Sequence, residues 1–340
     1  MTFSIKPGGN TVRRIKQRMK TIFAITRGRE RKPSTRYRLL QYRDLFQQSG
    51  CDFDFVPKKD LRLRHFFKIA RADAVIVQKA PMGFLKSAII RRLAKKLIFE
   101  WDDALYASSE ISATPPSSRS LHGWLKRADA VTCSNEHLAE YSRRLNKNVY
   151  IIPNAIDLEI PQTALRKPRE IGGKIVLGWS GSRTKNVFLR ESAPAIAEFL
   201  RSRPSARLRV MSDEDPRLPC AYEFIPWAPE RENEFFERLD VGLLPLSLRE
   251  FSKGKFPVTA LLYMAYGLPV VATFVEGGPS ELAKNGGFEW VKNNGWREAL
   301  ERAIRPETYK KLGAEALAAV QKFHDRRDVF KRWLALLENL

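Results

Sequence analysis

Two short stretches carry residue types suited to an anionic ligand, and a third carries paired carboxylates. GWSGSRTKN (178–186) sets Gly178 and Gly181 for a tight turn. It adds Ser180 and Ser182 as hydroxyls and Arg183 and Lys185 as cations ahead of a helix-length segment. That composition suits a phosphate cradle, although it matches neither the Walker A spacing nor the GxGxxG dinucleotide fingerprint. In GKFPVTALLYMAYGLPVVATFVEGGPSEL (254–282), Lys255 stands just ahead of a helix whose first position suits Pro257 and whose end is marked by Gly267. Helix N-termini favour anions, and Gly277 and Gly278, past the buried strand LPVVAT, let backbone approach a ligand closely. FEWDDALY (99–106) ends a strand on Asp102 and Asp103, which can bind a metal, hydrogen-bond sugar hydroxyls or act as a base. Each stretch also has a purely structural reading: a basic turn, an αβ unit with an exposed lysine, a helix cap.

A fourth stretch, PSTRYR (33–38), opens a helix with Arg36 and Arg38 in its first turns. Arginine there opposes the helix dipole unless an anion or carboxylate lies nearby. CSNEHL (133–138) reads as an N-cap with no chemistry assigned.

Strands and helices must bring these residues together. Apolar runs at 21–26, 53–56, 74–78, 96–101, 130–134 and 149–153 alternate with helix-length amphipathic segments. The rhythm breaks at 158–173, with prolines and glycines among charges, which predicts an interdomain linker. It restarts with runs at 174–180, 207–212, 222–227, 240–246 and 268–273, and beyond about 292 the chain reads as helical. Repeated βα units on both sides of a linker predict an α/β protein with two doubly wound parallel-sheet domains facing a central cleft. Ligands in such sheets bind beyond the carboxyl ends of the strands.

Composition narrows the class. The 340 residues are 44% hydrophobic and 29% charged, as in a globular protein. Cys51, Cys133 and Cys220 form no CxxC, which argues for a reducing compartment and against a disulfide framework or structural zinc. The four histidines show no metal-ligand spacing, and no apolar run reaches the length of a membrane span. No signal-peptide pattern opens the chain, so a cytoplasmic protein is expected. The net charge of +22 is concentrated: residues 1–100 hold 25 Lys and Arg against 7 Asp and Glu, residues 101–170 balance at 9 each, and residues 171–340 hold 26 against 22. An anionic partner for the N-terminal portion follows: a membrane leaflet along Arg13–Lys20, nucleic acid, or a polyanionic glycan. No helix-turn-helix, zinc-finger or RNP pattern supports specific nucleic-acid recognition.

IVLGWSGS, FIPWAPERENEFFERLDVGLLPL, KGKFPVTALLYMAYGLPVVAT and GGPSEL occur in the order seen in family 4 glycosyltransferases. STRYR, WDDALY, ADAVTCSN and IIPNAID resemble that family's N-terminal half. The resemblance spans roughly residues 21–300. It implies a GT-B fold of two Rossmann-like domains: an acceptor-binding domain (1–157), the linker (158–173) and a nucleotide-sugar domain (174–320). A final helix (321–340) would pack back on the first domain. It also implies transfer with retention at the anomeric carbon, no essential metal, and no cofactor beyond the nucleotide sugar.

Carried over by position, Lys185 falls where the family has a lysine on the donor diphosphate. Trp179 replaces the arginine usual six residues before it. Glu281 matches the glutamate after the Gly-Gly turn. The pair of glutamates eight residues apart is not kept, with Gly254 and Leu262 in those places. Lys253 and Lys255 preserve a lysine-rich turn, while Thr259 stands where a lysine is common.

These readings assign Gly181, Ser182, Arg183, Lys185, Lys255, Gly277, Gly278 and Glu281 to the donor. Arg36, Arg38, Asp102 and Asp103 are assigned to the acceptor side, and Lys185, Lys255 and Asp103 to the chemistry. The expected function is sugar transfer from a nucleotide donor to a glycan or lipid-linked acceptor in cell-surface polysaccharide or glycoconjugate synthesis. That places the protein in the cytoplasm or on the cytoplasmic face of the membrane. The missing glutamates keep a second class open, a catalytically silent homologue binding a polyanion or anionic membrane through its basic domain.

Overall fold

The computed structural model describes residues 21–79, 82–108, 118–159 and 173–340. Arg13–Lys20 and most of the 158–173 linker lie outside them. Six parallel strands form the first sheet: β1 (Thr21–Thr26), β2 (Asp52–Pro57), β3 (Ala74–Gln78), β4 (Leu97–Trp101), β5 (Ala130–Cys133) and β6 (Val149–Ile151), in the order β2-β1-β3-β4-β5-β6. Six more form the second: β7 (Ile175–Ser180), β8 (Ala206–Ser212), β9 (Glu223–Pro226), β10 (Val241–Leu244), β11 (Val270–Thr273) and β12 (Phe288–Val291), in the order β12-β11-β10-β7-β8-β9. The second order is that of a dinucleotide-binding sheet, and the first is the flavodoxin-like order with one strand added. Each reverses direction once, between β1 and β3 and between β7 and β10, and the crevices at these switch points are where such folds bind ligands.

Both sheets are covered on both faces, which explains strands such as AVIVQ and LIFEW that are buried at every position. On one face of the first sheet lie α3 (Leu63–Arg71), α4 (Phe84–Leu93), α5 (Ser118–Arg127) and α6 (Glu136–Arg143). On the other lie α1 (Pro33–Arg38), α2 (Arg43–Gln48) and the final helix Arg326–Glu338, whose Val329, Phe330, Trp333 and Leu336 complete a core with Phe46 and Phe53. The long helix before it, Pro306–Phe323, stays with the second sheet through Ala316, Ala319 and Val320. It runs past the boundary expected at 321, and the chain crosses back at His324–Asp325.

The short edge strand β12 was not expected from the sequence. Pro257 is the N-cap rather than the first residue of its helix, which runs Val258–Ala265.

The outgoing and returning crossings pair with each other. Ile156 N–H donates to His324 O (3.0 Å), and Arg326 N–H donates to Ile156 O (2.9 Å). Arg326 anchors the crossing through Asp44 and Asp157, both at 2.9 Å. The buried His324 ring donates from Nδ1 to Asn154 O (3.0 Å) and packs on Phe256. Burial pushes its pKa from 6.5 down to about 4. The unfolded chain therefore takes up a proton between pH 6.5 and 4 that the folded chain refuses. The neutral ring's contribution is complete above pH 6.5 and lost as pH falls through about 4, by about 3 kcal/mol. Urea unfolding from pH 7 to 4 should show this slope, and His324→Gln should flatten it.

Candidate active site in the interdomain cleft

At the N-terminal switch point β3 ends, and the next residue, Lys79, adopts φ 39° and is 3% exposed. A left-handed backbone at a residue with a side chain costs on the order of 1 kcal/mol and is kept where surroundings enforce it. Here the Lys79 N–H donates to Glu100 O (2.8 Å), while Nζ pairs with Asp102 and with Asp103 Oδ2 (2.5 Å). The two aspartates end β4, one strand over. Burial opposes charge on Asp103, but Lys79, then Lys255 and Lys185, outweigh it and hold the carboxyl down at about 2. Lys185 and Lys255 come from the other domain, so their action on Asp103 spans the cleft.

On the C-terminal wall, β7 ends at Ser180 and its loop carries Lys185. The ring of Trp179 lies beneath Gly181, where a Cβ would come within 2.5 Å of it. Gly181 N–H is committed to Met211 O (3.1 Å), and Ser182 Oγ meets Thr184 Oγ1 (2.9 Å). Buried Tyr263 fixes the strand end, accepting from Ser180 N–H (3.0 Å) and donating to Gly178 O (3.1 Å). Arg183 is exposed, with its N–H on Asp213. Solvent reaches Lys185, yet the enclosing walls lower its pKa by desolvation; Asp103 opposes this and Lys79 adds to it. Lys255 Nζ sits 5.0 Å from the ring centroids of both Phe188 and Phe251, which hold an ammonium through their π faces.

The Gly-Gly turn has a structural role in the chain's own packing. Gly277 adopts φ 92°, and a Cβ there would meet Lys253 O at 2.4 Å; one on Gly278 would meet Lys255 O at 2.0 Å. The close approach these glycines permit is that of the chain's own 253–255 segment. Glu281 accepts from the N–H groups of Glu136 (2.9 Å) and His137 (3.2 Å) at the start of α6 in the other domain. Asn135, the α6 N-cap, also reaches across to Gly254 O (3.0 Å), and Asn154 reaches Phe256 O (2.5 Å).

Of the two arginines in PSTRYR, neither is free on an acceptor surface. The helix is only six residues long, so both fall in its last turn, where a cation suits the dipole. Arg38 is a core residue, 1% exposed on its side chain, bound to Glu100 (2.7 Å), Ile152 O and Asn154 Oδ1. Arg36 spans the domains, with both oxygens of Glu232 at 2.8 Å and the Tyr37 ring beneath it. The carboxylates that these arginines required are therefore Glu232 and Glu100.

The structure brings Asp102, Asp103, Lys185 and Lys255 to one place and adds Lys79, which sequence reasoning passed over. A single lysine directly after a strand buried at every position, AVIVQ, was the available signal. Asn135, Asn154 and Glu232 were also missed, because their partners lie about 100 or more residues away. Among the described residues, no group of three His, Cys, Asp or Glu side chains is arranged to hold a metal. Lys79 is committed to the two aspartates, and Lys185 and Lys255 lie near enough to lower the Asp103 pKa further, so the cleft wall they form suits an anion. Lys79→Met strands two aspartates and should destabilise the fold by about 3–5 kcal/mol. In urea unfolding, combining it with Asp103→Asn should cost less than the sum of the two single changes, and strict additivity would refute the pairing.

Residues 175–306 match the family described as Glycosyl transferases group 1. The chain is 25% identical over 252 residues to a Bacillus subtilis (strain 168) protein named as a candidate teichuronic acid biosynthesis glycosyltransferase, TuaH. The match covers 63% of this chain and 62% of that one, less than two thirds of the relative's length. Among solved structures, Anabaena Alr3699/HepE in complex with UDP and glucose superposes with TM-score 0.68 at 13% identity, over 95% of this chain and 100% of that one. Sucrose-phosphate synthase from Thermosynechococcus elongatus gives TM-score 0.70 at 14% identity, over 95% and 99%. The fold is GT-B.

Proposed function

We propose, from a C-terminal domain that belongs to the group 1 glycosyl transferases, that the protein is a retaining, metal-independent glycosyltransferase of cell-surface polysaccharide or glycoconjugate synthesis. Its donor is a UDP-sugar and its acceptor a glycan or lipid-linked glycan. The observation that carries this reading is the placement of Lys185 and Lys255, on loops of one domain after β7 and before Val258–Ala265, near the Lys79–Asp102–Asp103 cluster that ends β3 and β4 of the other. UDP in the HepE complex supports the nucleotide, and the TuaH likeness supports the product class.

Lys185 and Lys255 neutralise the diphosphate as charge builds on its departing oxygen, the most effective place for fixed cations. The bond from the anomeric carbon to that oxygen breaks, a bond to the acceptor oxygen forms on the same face, and the acceptor proton passes to the departing phosphate. Asp103 is then not the base. A carboxylate held at about 2 is too weak to take a hydroxyl proton near neutrality. It serves with Asp102 to accept hydrogen bonds from the acceptor and to hold Lys79. Gly181 shapes its loop through Trp179 rather than donating, its N–H being occupied.

One observation favours the silent-homologue alternative. At Gly254, where the family resemblance implies a glutamate, a Cβ would lie 2.7 Å from that of Ala104, so a side chain there would force its neighbours to shift. Thermal unfolding against UDP-, GDP-, ADP- and CMP-sugars separates the two readings. A UDP-sugar at 100 times its dissociation constant should stabilise the fold by about 2.7 kcal/mol, a shift of a few degrees. The transferred sugar should keep the donor's anomeric configuration by NMR. No shift with any nucleotide sugar would favour the silent homologue.

A further inference from the structure

The first domain carries an apolar patch that nothing in the chain covers among the described residues. Leu63 and Phe67, one turn apart on α3, are 82% and 72% exposed, and Phe84 and Leu85, which open α4, are 74% and 72% exposed. Ile89, one turn after Leu85, is 41% exposed. The helices are neighbours on one face of the sheet, their inward sides filled by Ile69 and Ile90. Five large apolar side chains facing water on adjacent helices exceed what scattered surface residues explain.

Cations surround the patch. Residues 58–96 hold 12 Lys and Arg against two acids, Asp60 and Asp73. Those two are engaged with Arg29 and Lys95. Arg64 and Lys68 flank Leu63 and Phe67, Lys86 follows Leu85, and the Arg127 guanidinium lies 4.9 Å from the Phe84 ring centroid. Burial lowers the Lys58 pKa, and the nearby charges of Arg27 and Lys86 lower it further. Exposed aromatic and aliphatic groups ringed by cations match the cross-section of an anionic bilayer, with acyl chains below a plane of phosphates.

We propose that the α3–α4 face is the membrane-docking surface of this protein, inserting Leu63, Phe67, Phe84 and Leu85 between anionic lipid headgroups. The position deepens the transferase reading, on which its functional meaning rests. α3 leaves the carboxyl end of β2 and α4 that of β3, so Leu63, Phe84 and Leu85 lie at the edge of the sheet that also carries Lys79 and Asp103. A docked molecule would hold the rim of the acceptor side against the leaflet, where a lipid-linked acceptor presents its sugar. The basic stretch Arg13–Lys20, expected from the sequence to lie on the membrane, is outside the described residues. The α3–α4 face needs no contribution from it.

The test is flotation of the full chain with vesicles of phosphatidylcholine alone and of phosphatidylcholine mixed with phosphatidylglycerol. Binding is expected only to the anionic vesicles and should weaken with salt. The combined variant Phe67→Ser, Phe84→Ser, Leu85→Ser should lose about tenfold or more of the partitioning. It should keep its urea midpoint, because these side chains are already exposed. Phe67→Trp should show an emission blue shift on binding and quenching by brominated lipid.

Undiminished binding of the triple variant, an unshifted Phe67→Trp, or no binding by the native chain would each overturn the proposal. So would a dimer in sedimentation that dissociates on the triple substitution, since the patch would then be a contact between copies. Stabilisation by UDP without lipid reads the donor site separately and should be unchanged in the triple variant. Lipid binding without a response to any nucleotide sugar would count against the transferase reading and leave this surface standing.

Discussion

Like charges brought together are the constraint around which this molecule is arranged. Lys79, Lys185 and Lys255 bear on the carboxylate of Asp103, and Asp102 also pairs with Lys79. Such a gathering is unfavourable unless an anion belongs there, and it is possible only because two sheets turn their carboxyl edges toward one another. Each lysine stands on a different loop, after β3, after β7 and before the helix Val258–Ala265. No one loop makes the site.

What holds the edges together is therefore part of the site. The final helix completes the core of the first domain, so the second domain cannot separate without straining a buried crossing at Ile156 and His324. Across the cleft, Asn135, Asn154 and Glu281 bind backbone of the opposite domain and Arg36 binds Glu232. Glycine at 254 lets the domains meet closely at Ala104, while glycine at 277 and 278 lets residues 253–255 of the same domain pass at backbone distance. A larger residue at 254 would act on domain closure before it acted on a ligand.

The architecture was largely legible in the sequence because parallel strands buried on both faces read as apolar runs: eleven of the twelve strands coincide with such runs. β12 did not, being short and mixed. Within the site, Lys185, Lys255, Asp102 and Asp103 could be picked out because each follows or precedes a recognisable strand or helix. Local pattern was a poor guide to residues whose meaning is set by distant partners. Arg38 resembles Arg36 in sequence, yet one is sealed against Glu100 and the other bridges to Glu232. Gly277 and Gly278 have the form of a ligand turn, and only the position of residues 253–255 explains their need for no side chain.

The most direct measurement is calorimetric titration of UDP into the native chain, Lys185→Met, Lys255→Met and the double variant, at two salt concentrations. A diphosphate held by both lysines predicts that each single change weakens binding by about 10–100-fold, as loss of a charged hydrogen bond does. It also predicts that the salt dependence shrinks with each lysine removed. Affinity for UDP unchanged in both single variants would contradict the account, because the charge gathered in the cleft would then serve some other purpose.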